Sequence, residues 1–214
     1  MLGLGNRLRA VLNEVRGKRL ADIGCDHGKV AALALLQGEA DFVSAVDISP
    51  NSLDKAKKLA KKLNLLHKME FLPGDGLTPL NYEPDSVVIA GMGGNEIVKI
   101  LSQKRLNSRF ILVAHQDVFV LRKYLQQNGY AALKDYAVEE KGKFYDIIVA
   151  RAGESNYSDG EIYVGKNYPQ SSVFIKKLKA RKRHLERILN SADKEKLSSD
   201  IVKEWEEINN VLQD

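Results

Sequence analysis

The sequence predicts an α/β fold, a doubly wound and largely parallel sheet followed by a C-terminal α-helical hairpin. Apolar strand-like runs alternate with helical periodicity through residues 1–150, as βα units do when a buried sheet is covered on both faces. The last two extended runs are separated by a turn through Lys141-Gly142-Lys143, so they read as a hairpin that ends the sheet. Beyond Pro169 the pattern turns helical, first basic and then acidic.

The elements follow in order. Arg19-Leu20-Ala21-Asp22-Ile23 is a short buried strand ending in a glycine, and residues 30–36, apolar and alanine-rich, suit a helix lying on a sheet. Residues 42–47 form the second strand. Ser49 as N-cap and Pro50 at the first helical position open a helix with Leu53, Ala56, Ala60 and Leu63 on one face. Its other face carries Lys55, Lys57, Lys58, Lys61 and Lys62. Strands are expected at 69–72, 85–90 and 110–114, and a helix over 118–128 stops at Gly129, a good C′ residue. Extended runs at 131–138 and 145–150 make the hairpin. Residues 153–169, rich in Ser, Asn, Asp, Gly and Pro, read as a linker. After it, Phe174, Leu178, Leu185, Ile188 and Leu189 fit one amphipathic helix, and Leu197, Ile201, Trp205, Ile208 and Leu212 fit a second. The expected organisation is a Rossmann-like domain over 1–152 and a linker with a helical-hairpin domain, coiled-coil-like, over 153–214.

Composition narrows the setting. No stretch approaches the 18 apolar residues of a membrane helix, and the N-terminus lacks the pattern of a signal peptide. Cys25 is the single cysteine, which suits a reducing cytoplasm and excludes an internal disulfide. The formal net charge is +5, compatible with an acidic partner such as RNA. Residues 1–152 hold 22 Lys/Arg against 17 Asp/Glu, and 153–214 hold 11 of each. The tail's balance hides a split. Lys176, Lys177, Lys179, Arg181, Lys182, Arg183 and Arg187 come early, and Glu204, Glu206, Glu207 and Asp214 come late.

Three features at the ends of the first three strands point to one ligand. Gly24 and Gly28 bracket a strand-to-helix turn where backbone can approach a ligand closely. The dinucleotide fingerprint is incomplete, because Asp26 stands where a second glycine should admit a pyrophosphate. A carboxylate would repel a diphosphate but suits a cofactor bearing a sulfonium and an ammonium. Asp26 could equally cap the helix that follows. Asp47, with Ile48 beside it, ends the second strand, where an acidic side chain can accept from both ribose hydroxyls or serve as a turn aspartate before Ser49-Pro50. Gly74-Asp75-Gly76 follows the third strand, and Asp75 can reach an adenine's exocyclic amine. Together they describe a nucleoside pocket with an acidic floor, expected to hold S-adenosyl-L-methionine. A sheet closed by a hairpin whose last strand inserts antiparallel is the class I methyltransferase arrangement.

The residues also carry a family resemblance. Asp22-Ile23-Gly24-Cys25-Asp26-His27-Gly28, Gly74-Asp75-Gly76-Leu77 and Ile89-Ala90-Gly91-Met92-Gly93-Gly94 resemble the bacterial tRNA (adenine-N1)-methyltransferases that modify adenine 22. The likeness continues through Asn128-Gly129-Tyr130, Glu139-Glu140-Lys141-Gly142-Lys143-Phe144-Tyr145 and the C-terminal helices, nearly the whole chain. It implies methyl transfer from S-adenosylmethionine to N1 of a tRNA adenine. It adds Ala90, Gly91 and Met92 to the cofactor set, and Gly93, Gly94 and His115 to the substrate side. The glycine block stands where adenine-N6 enzymes carry Asn/Asp-Pro-Pro-aromatic. An exocyclic amine needs a polar clamp to localise its lone pair, whereas ring N1 mainly needs alignment. Asp26 is the candidate to stabilise the developing positive charge or take up the N6 proton, with His27 orienting the base or the cofactor. Cys25 reads as a small wall residue, since nothing in this chemistry needs a thiolate. The chain departs from the family at Cys25, at Lys29-Val30 and at His115-Gln116-Asp117.

A folded RNA would profit from a second basic surface. Lys179, Lys182 and Arg183 are the candidate tail contacts, with Arg7, Arg9 and the Lys55–Lys62 face as others. No metal site, no membrane association and a monomer are expected. Other readings keep the cofactor with a small-molecule or protein acceptor, or make the chain an RNA-binding adaptor or a nicotinamide dehydrogenase. The intact acidic set weighs against the adaptor, and the incomplete fingerprint and hairpin weigh against the dehydrogenase.

Overall fold

The computed structural model describes residues 5–155, 157–191 and 198–213. Asn156, Leu197, Asp214 and the inter-helix residues Ala192, Asp193 and Lys194 lie outside that set.

Seven strands form one sheet: β1 (Arg19–Ile23), β2 (Phe42–Asp47), β3 (Met69–Pro73), β4 (Ser86–Met92), β5 (Arg109–Ala114), β6 (Tyr130–Glu140) and β7 (Lys143–Ala152). Their order is β3-β2-β1-β4-β5-β7-β6. The first five run parallel, and β7 inserts antiparallel between β5 and β6, as the hairpin reading expected. The central strands are near-continuous apolar runs because both faces are covered. Helices α1 (Asn6–Leu12), α2 (Lys29–Gln37) and α3 (Pro50–Lys62) cover one face, and α4 (Gly94–Gln103) and α5 (Val118–Gln127) the other. Ser49 caps α3 by accepting from the Ser52 N–H at 3.4 Å, with Pro50 at the first helical position. All five lysines of its outer face are exposed.

Strand order reverses between β1 and β4. That places a crevice at their carboxyl ends, where ligands of doubly wound sheets bind.

The 153–169 stretch does more than link. Ser158 and Glu161 form a reciprocal cap at 3.2 and 2.8 Å that starts α6 (Asp159–Val164). Tyr168 then exchanges two 2.8 Å backbone hydrogen bonds with Asp135 of β6. The tail helices α7 (Ser172–Ser191) and α8 (Ser199–Gln213) share a separate small core of Phe174, Leu178, Leu185 and Ile208 with Val164. Arg181 of α7 holds Glu204 of α8 through two 2.7 Å bonds, so the opposite charges of the two helices do meet. Among the described residues no helix is long and apolar enough to cross a membrane, and no cluster of three His, Cys, Asp or Glu could hold a metal ion.

Candidate active site

The carboxyl ends of β1, β2, β3 and β4 converge on a cleft of about 680 Å³. Asp22, Gly24, Cys25, Asp26, His27, Asp47, Ile48, Gly74, Asp75, Gly76, Ala90, Gly91 and Met92 all line it, and Arg7 of α1 joins them. Four separate strand ends therefore reach one space, as their common position at the carboxyl edge of the sheet required.

The 22–28 loop is tied down by backbone and by carboxylates. Gly24 and Cys25 donate their N–H groups to the Val46 carbonyl at 2.8 and 3.0 Å. Asp26 donates its N–H to Asp47 Oδ2 at 3.0 Å, and Ser49 donates to Asp47 Oδ1 at 2.8 Å. Asp47 is thus a turn aspartate, and each oxygen keeps a lone pair free to accept another bond. The helix cap comes from an unexpected residue. Asp22 Oδ2 accepts from the Ala31 N–H at 3.2 Å, while Asp26 makes no cap to α2. Burial, opposed by that hydrogen bond and reinforced by Asp47, pushes the Asp22 carboxyl up to about 7.

Asp26, in a left-handed conformation at φ 45°, leaves its own carboxylate pointing outward beside His27, with Oδ1 to Nε2 at 3.6 Å. Both side chains are at least half exposed at the cleft rim. Burial, together with Asp22, Asp47 and Asp26, pushes the Cys25 thiol well up. It lines the cleft as a small, buried wall residue. Gly28 is buried outside the lining, where a Cβ would come 2.8 Å from Ala56 Cβ. Its absence of side chain lets α2 approach α3.

Gly91 sits in a β-bulge, where the β4–β5 register shifts between Ala90 and Met92 and φ is +86°. A Cβ there would meet no atom within 4 Å, so the strand end is open towards the cleft. Gly93 and Gly94 face elsewhere. Both are buried, the Gly94 N–H donates to the Gln116 carbonyl at 2.9 Å, and a Cβ on Gly94 would collide with the Asp117 carbonyl oxygen.

Periodicity along α4 brings in residues the sequence reading left out. Glu96, Lys99 and Gln103 recur every three or four positions and line the cleft. Gln103 accepts from the Leu77 N–H at 2.8 Å and donates to Asp75 Oδ2 at 3.2 Å, fixing the 74–76 loop. Glu96 accepts from the Gly93 N–H at 2.8 Å. The signal was the helical spacing after Gly93-Gly94.

A second, larger cavity of about 1130 Å³ adjoins the first, between the carboxyl edge of β5, the β6–β7 turn and α7. His115 lines this one, with Phe119, Lys143, Arg181, His184 and Arg187. Arg7 lies 4.9 Å over the Tyr145 ring, and these two residues line different cavities. Lys179 and Arg183 are exposed on α7 but outside the lining, and Lys182 lies 4.0 Å from Glu186 on the same helix.

The cleft fits S-adenosylmethionine on its own evidence. Its floor is acidic, its size suits a nucleoside, and Ile48, 75% exposed beside Asp47, offers an apolar surface to an adenine ring.

Comparison with known proteins agrees. A family model described as a methyltransferase domain matches residues 4–148. The chain is 29% identical over 212 residues to the tRNA (adenine(22)-N(1))-methyltransferase of Bacillus subtilis (strain 168), covering 91% of this chain and 89% of that one. A Mycoplasma pneumoniae protein provisionally named a tRNA methyltransferase is 34% identical over 149 residues, 66% of this chain and 68% of that one. A Streptococcus pneumoniae protein solved in complex with S-adenosyl-L-methionine superposes with a TM-score of 0.86 at 26% identity, covering 98% of this chain and 100% of that one. The Bacillus and Streptococcus matches span the tail as well as the sheet, so the chain belongs to the methyltransferase domain family and, within it, to the bacterial tRNA (adenine-N1)-methyltransferases.

Proposed function

We propose that this chain transfers the methyl group of S-adenosylmethionine to N1 of a tRNA adenine, adenine 22 as in the name of its Bacillus relative. The observation that carries the reading is the Gly91 bulge. It opens backbone, with no side chain, onto an acidic nucleoside cleft. A ring nitrogen with an in-plane lone pair needs room and alignment more than a polar clamp.

When bound, the cofactor supplies an electrophilic methyl on a positively charged sulfur. The chain's residues do the rest. Asp47, held by two backbone N–H groups, accepts from the ribose hydroxyls. Asp75, steadied by Gln103, accepts from the adenine amine, and Ile48 lies against the ring. Gly24, Cys25, Gly74, Gly76, Ala90 and Met92 shape the walls. Asp26 at the rim faces the incoming base and stabilises the positive charge that N1 acquires, and His27 orients that base. Gly93, Gly94 and His115 act through the 115–117 loop, which lines the larger cavity and takes the Gly94 N–H on its Gln116 carbonyl.

Residues 153–214 form the unit that meets the tRNA. The cations Lys143, Arg181 and Arg187 around the larger cavity supply phosphate contacts, with His184 among them as a ring N–H donor and Lys179, Lys182 and Arg183 beside them. The enzyme acts as a cytoplasmic monomer, without metal or membrane.

The test is incubation with labelled S-adenosylmethionine and unmodified tRNA, followed by digestion and identification of the nucleoside. Label in N1-methyladenosine is expected. Label in N6-methyladenosine, or none in RNA, rejects the reading.

A further inference from the structure

A buried ion network joins the sheet to the tail. Arg122 of α5 grips Asp135 of β6 with two bonds, Nε to Oδ2 at 2.8 Å and Nη2 to Oδ1 at 3.1 Å, and both side chains are 1% exposed. Arg122 Nη2 also lies 3.1 Å from Asp146 Oδ1 of β7. Lys177 of α7 donates to the same Asp146 oxygen at 2.6 Å and to the Val164 carbonyl at 3.0 Å. Tyr157 donates to Asp135 Oδ2 at 3.0 Å, and Arg122 Nη1 donates to the Tyr163 carbonyl at 3.3 Å. Two cations balance two carboxylates. Three elements of the sheet layer thereby meet three successive parts of the 153–177 segment.

Stability alone is a poor reason for such a cluster. Apolar residues of similar volume serve as well or better in many cores, and a buried ion pair is best attested as a device that fixes one arrangement. The packing around it is equally particular. Gly165, at φ +95°, leaves no room for a Cβ, which would come 2.7 Å from Arg122 Nη2 and 3.2 Å from Asp135 Oδ1. Arg122, Asp146 and Lys177 also line the larger cavity, whose wall carries Arg181, His184 and Arg187. The angle of α7 on the sheet therefore sets where those side chains stand relative to the methyl-transfer cleft.

We infer that Arg122, Asp135, Asp146 and Lys177 are positioning residues for the RNA, holding α7 at the one angle that lets tRNA span the larger cavity and reach the cofactor cleft. The inference rests on the tRNA reading above. None of the four has to touch the target base. Their effect passes through the placement of α7.

Lys177→Met tests it. Arg122 still faces Asp146 in that variant, though one cation then serves two carboxylates, and the methionine keeps much of the lysine's apolar stem. The expected result is a KM for tRNA raised about tenfold, with kcat and the KM for S-adenosylmethionine within about twofold of the parent. Lys177→Arg should recover most of the loss. Tyr157→Phe, which removes one hydrogen bond and no charge, should move the tRNA KM the same way by a smaller factor, and supplies the readout should Lys177→Met fail to fold. Independently of any RNA, spin labels on Ser102→Cys of α4 and Asn190→Cys of α7 should show a broader distance distribution in Lys177→Met. An unchanged distribution, or both KM values rising together, would reduce the network to a structural staple. A parent enzyme that methylates no tRNA while the labels still broaden would instead reject the tRNA reading and leave the placement of α7 by the network standing.

Discussion

Asp47 accepts the backbone N–H of Asp26 at 3.0 Å, so the carboxylate placed for the ribose also holds the rim residue placed for the target base. Its other oxygen takes the Ser49 N–H at 2.8 Å. Asp47→Ala removes the ribose acceptors and releases the 22–28 loop together. Charge-assisted hydrogen bonds contribute about 1.5–3 kcal/mol each, so the Kd for S-adenosylmethionine should rise on the order of a hundredfold. Titration calorimetry checks this, and a change below threefold would remove Asp47 from the cofactor site.

Asp26 has the opposite profile. Its own carboxylate makes no anchoring bond to the fold and stands at the rim beside His27. Asp26→Ala should lower kcat by about tenfold to a hundredfold, the scale of losing one electrostatic contact to developing charge, while tRNA affinity changes little. Single-turnover rates set against filter-binding affinities separate the two. Equal losses in both would make Asp26 a binding residue.

Asp22 gives a pH signature. Its folded-state value of about 7 lies above the ordinary 3.8, so the folded chain holds this proton more tightly than the unfolded one. The stabilising contribution is therefore full below about pH 4. It is lost as pH rises towards 7, because the unfolded chain ionises first. Asp22→Asn, which keeps an acceptor for the Ala31 N–H, should melt increasingly better relative to the parent from pH 4 to 7. Parallel melting curves across that range would contradict the burial account.

The tail cations make separable predictions for salt dependence. Each Lys or Arg that neutralises a phosphate contributes about 0.7–0.9 to the slope of log K against log salt. Lys143→Ala with Arg187→Ala, both on the larger cavity, should flatten the slope for tRNA by close to two such increments. Lys182→Ala should do less, since Lys182 already lies 4.0 Å from Glu186. An equal effect of Lys182 would put the RNA across the outer face of α7.

What the sequence made legible follows from the range of the interactions. The strand-end acids and glycines announce themselves because a strand, a turn and a helix start are local patterns, and the sheet's order brings three such turns together. The Ser158–Glu161 cap is equally local, yet the Gly, Ser and Asn around it hide α6 inside an apparent linker. α1 escapes because its seven residues lack a capping side chain. Asp22 as the cap of α2 and Gln103 as the brace of Asp75 act over 9 and 28 residues, with side chains that also suit other roles. The Arg122 network is less legible still. Arg122, Asp135 and Asp146 belong to no local motif and Lys177 sits in the basic run of the tail, and only the folding back of the 153–177 segment brings the four together.

Two glycines of one motif should respond differently to the same change. Gly91→Ala places a methyl in open space, with only the cost of a left-handed φ of +86°, about 1–2 kcal/mol. Gly94→Ala drives a methyl against the backbone carbonyl of Asp117, which cannot rotate away as a side chain would, so the 115–117 loop or α4 must shift at about 1–3 kcal/mol or more. Gly94→Ala should therefore lower Tm further than Gly91→Ala. Gly91→Ala should show the larger defect in methyl transfer for each degree of Tm lost, because its methyl enters the space reserved for the acceptor. Melting curves paired with initial rates decide the matter, and a Gly91→Ala enzyme with parental kcat would shift the acceptor's place away from the β4 bulge.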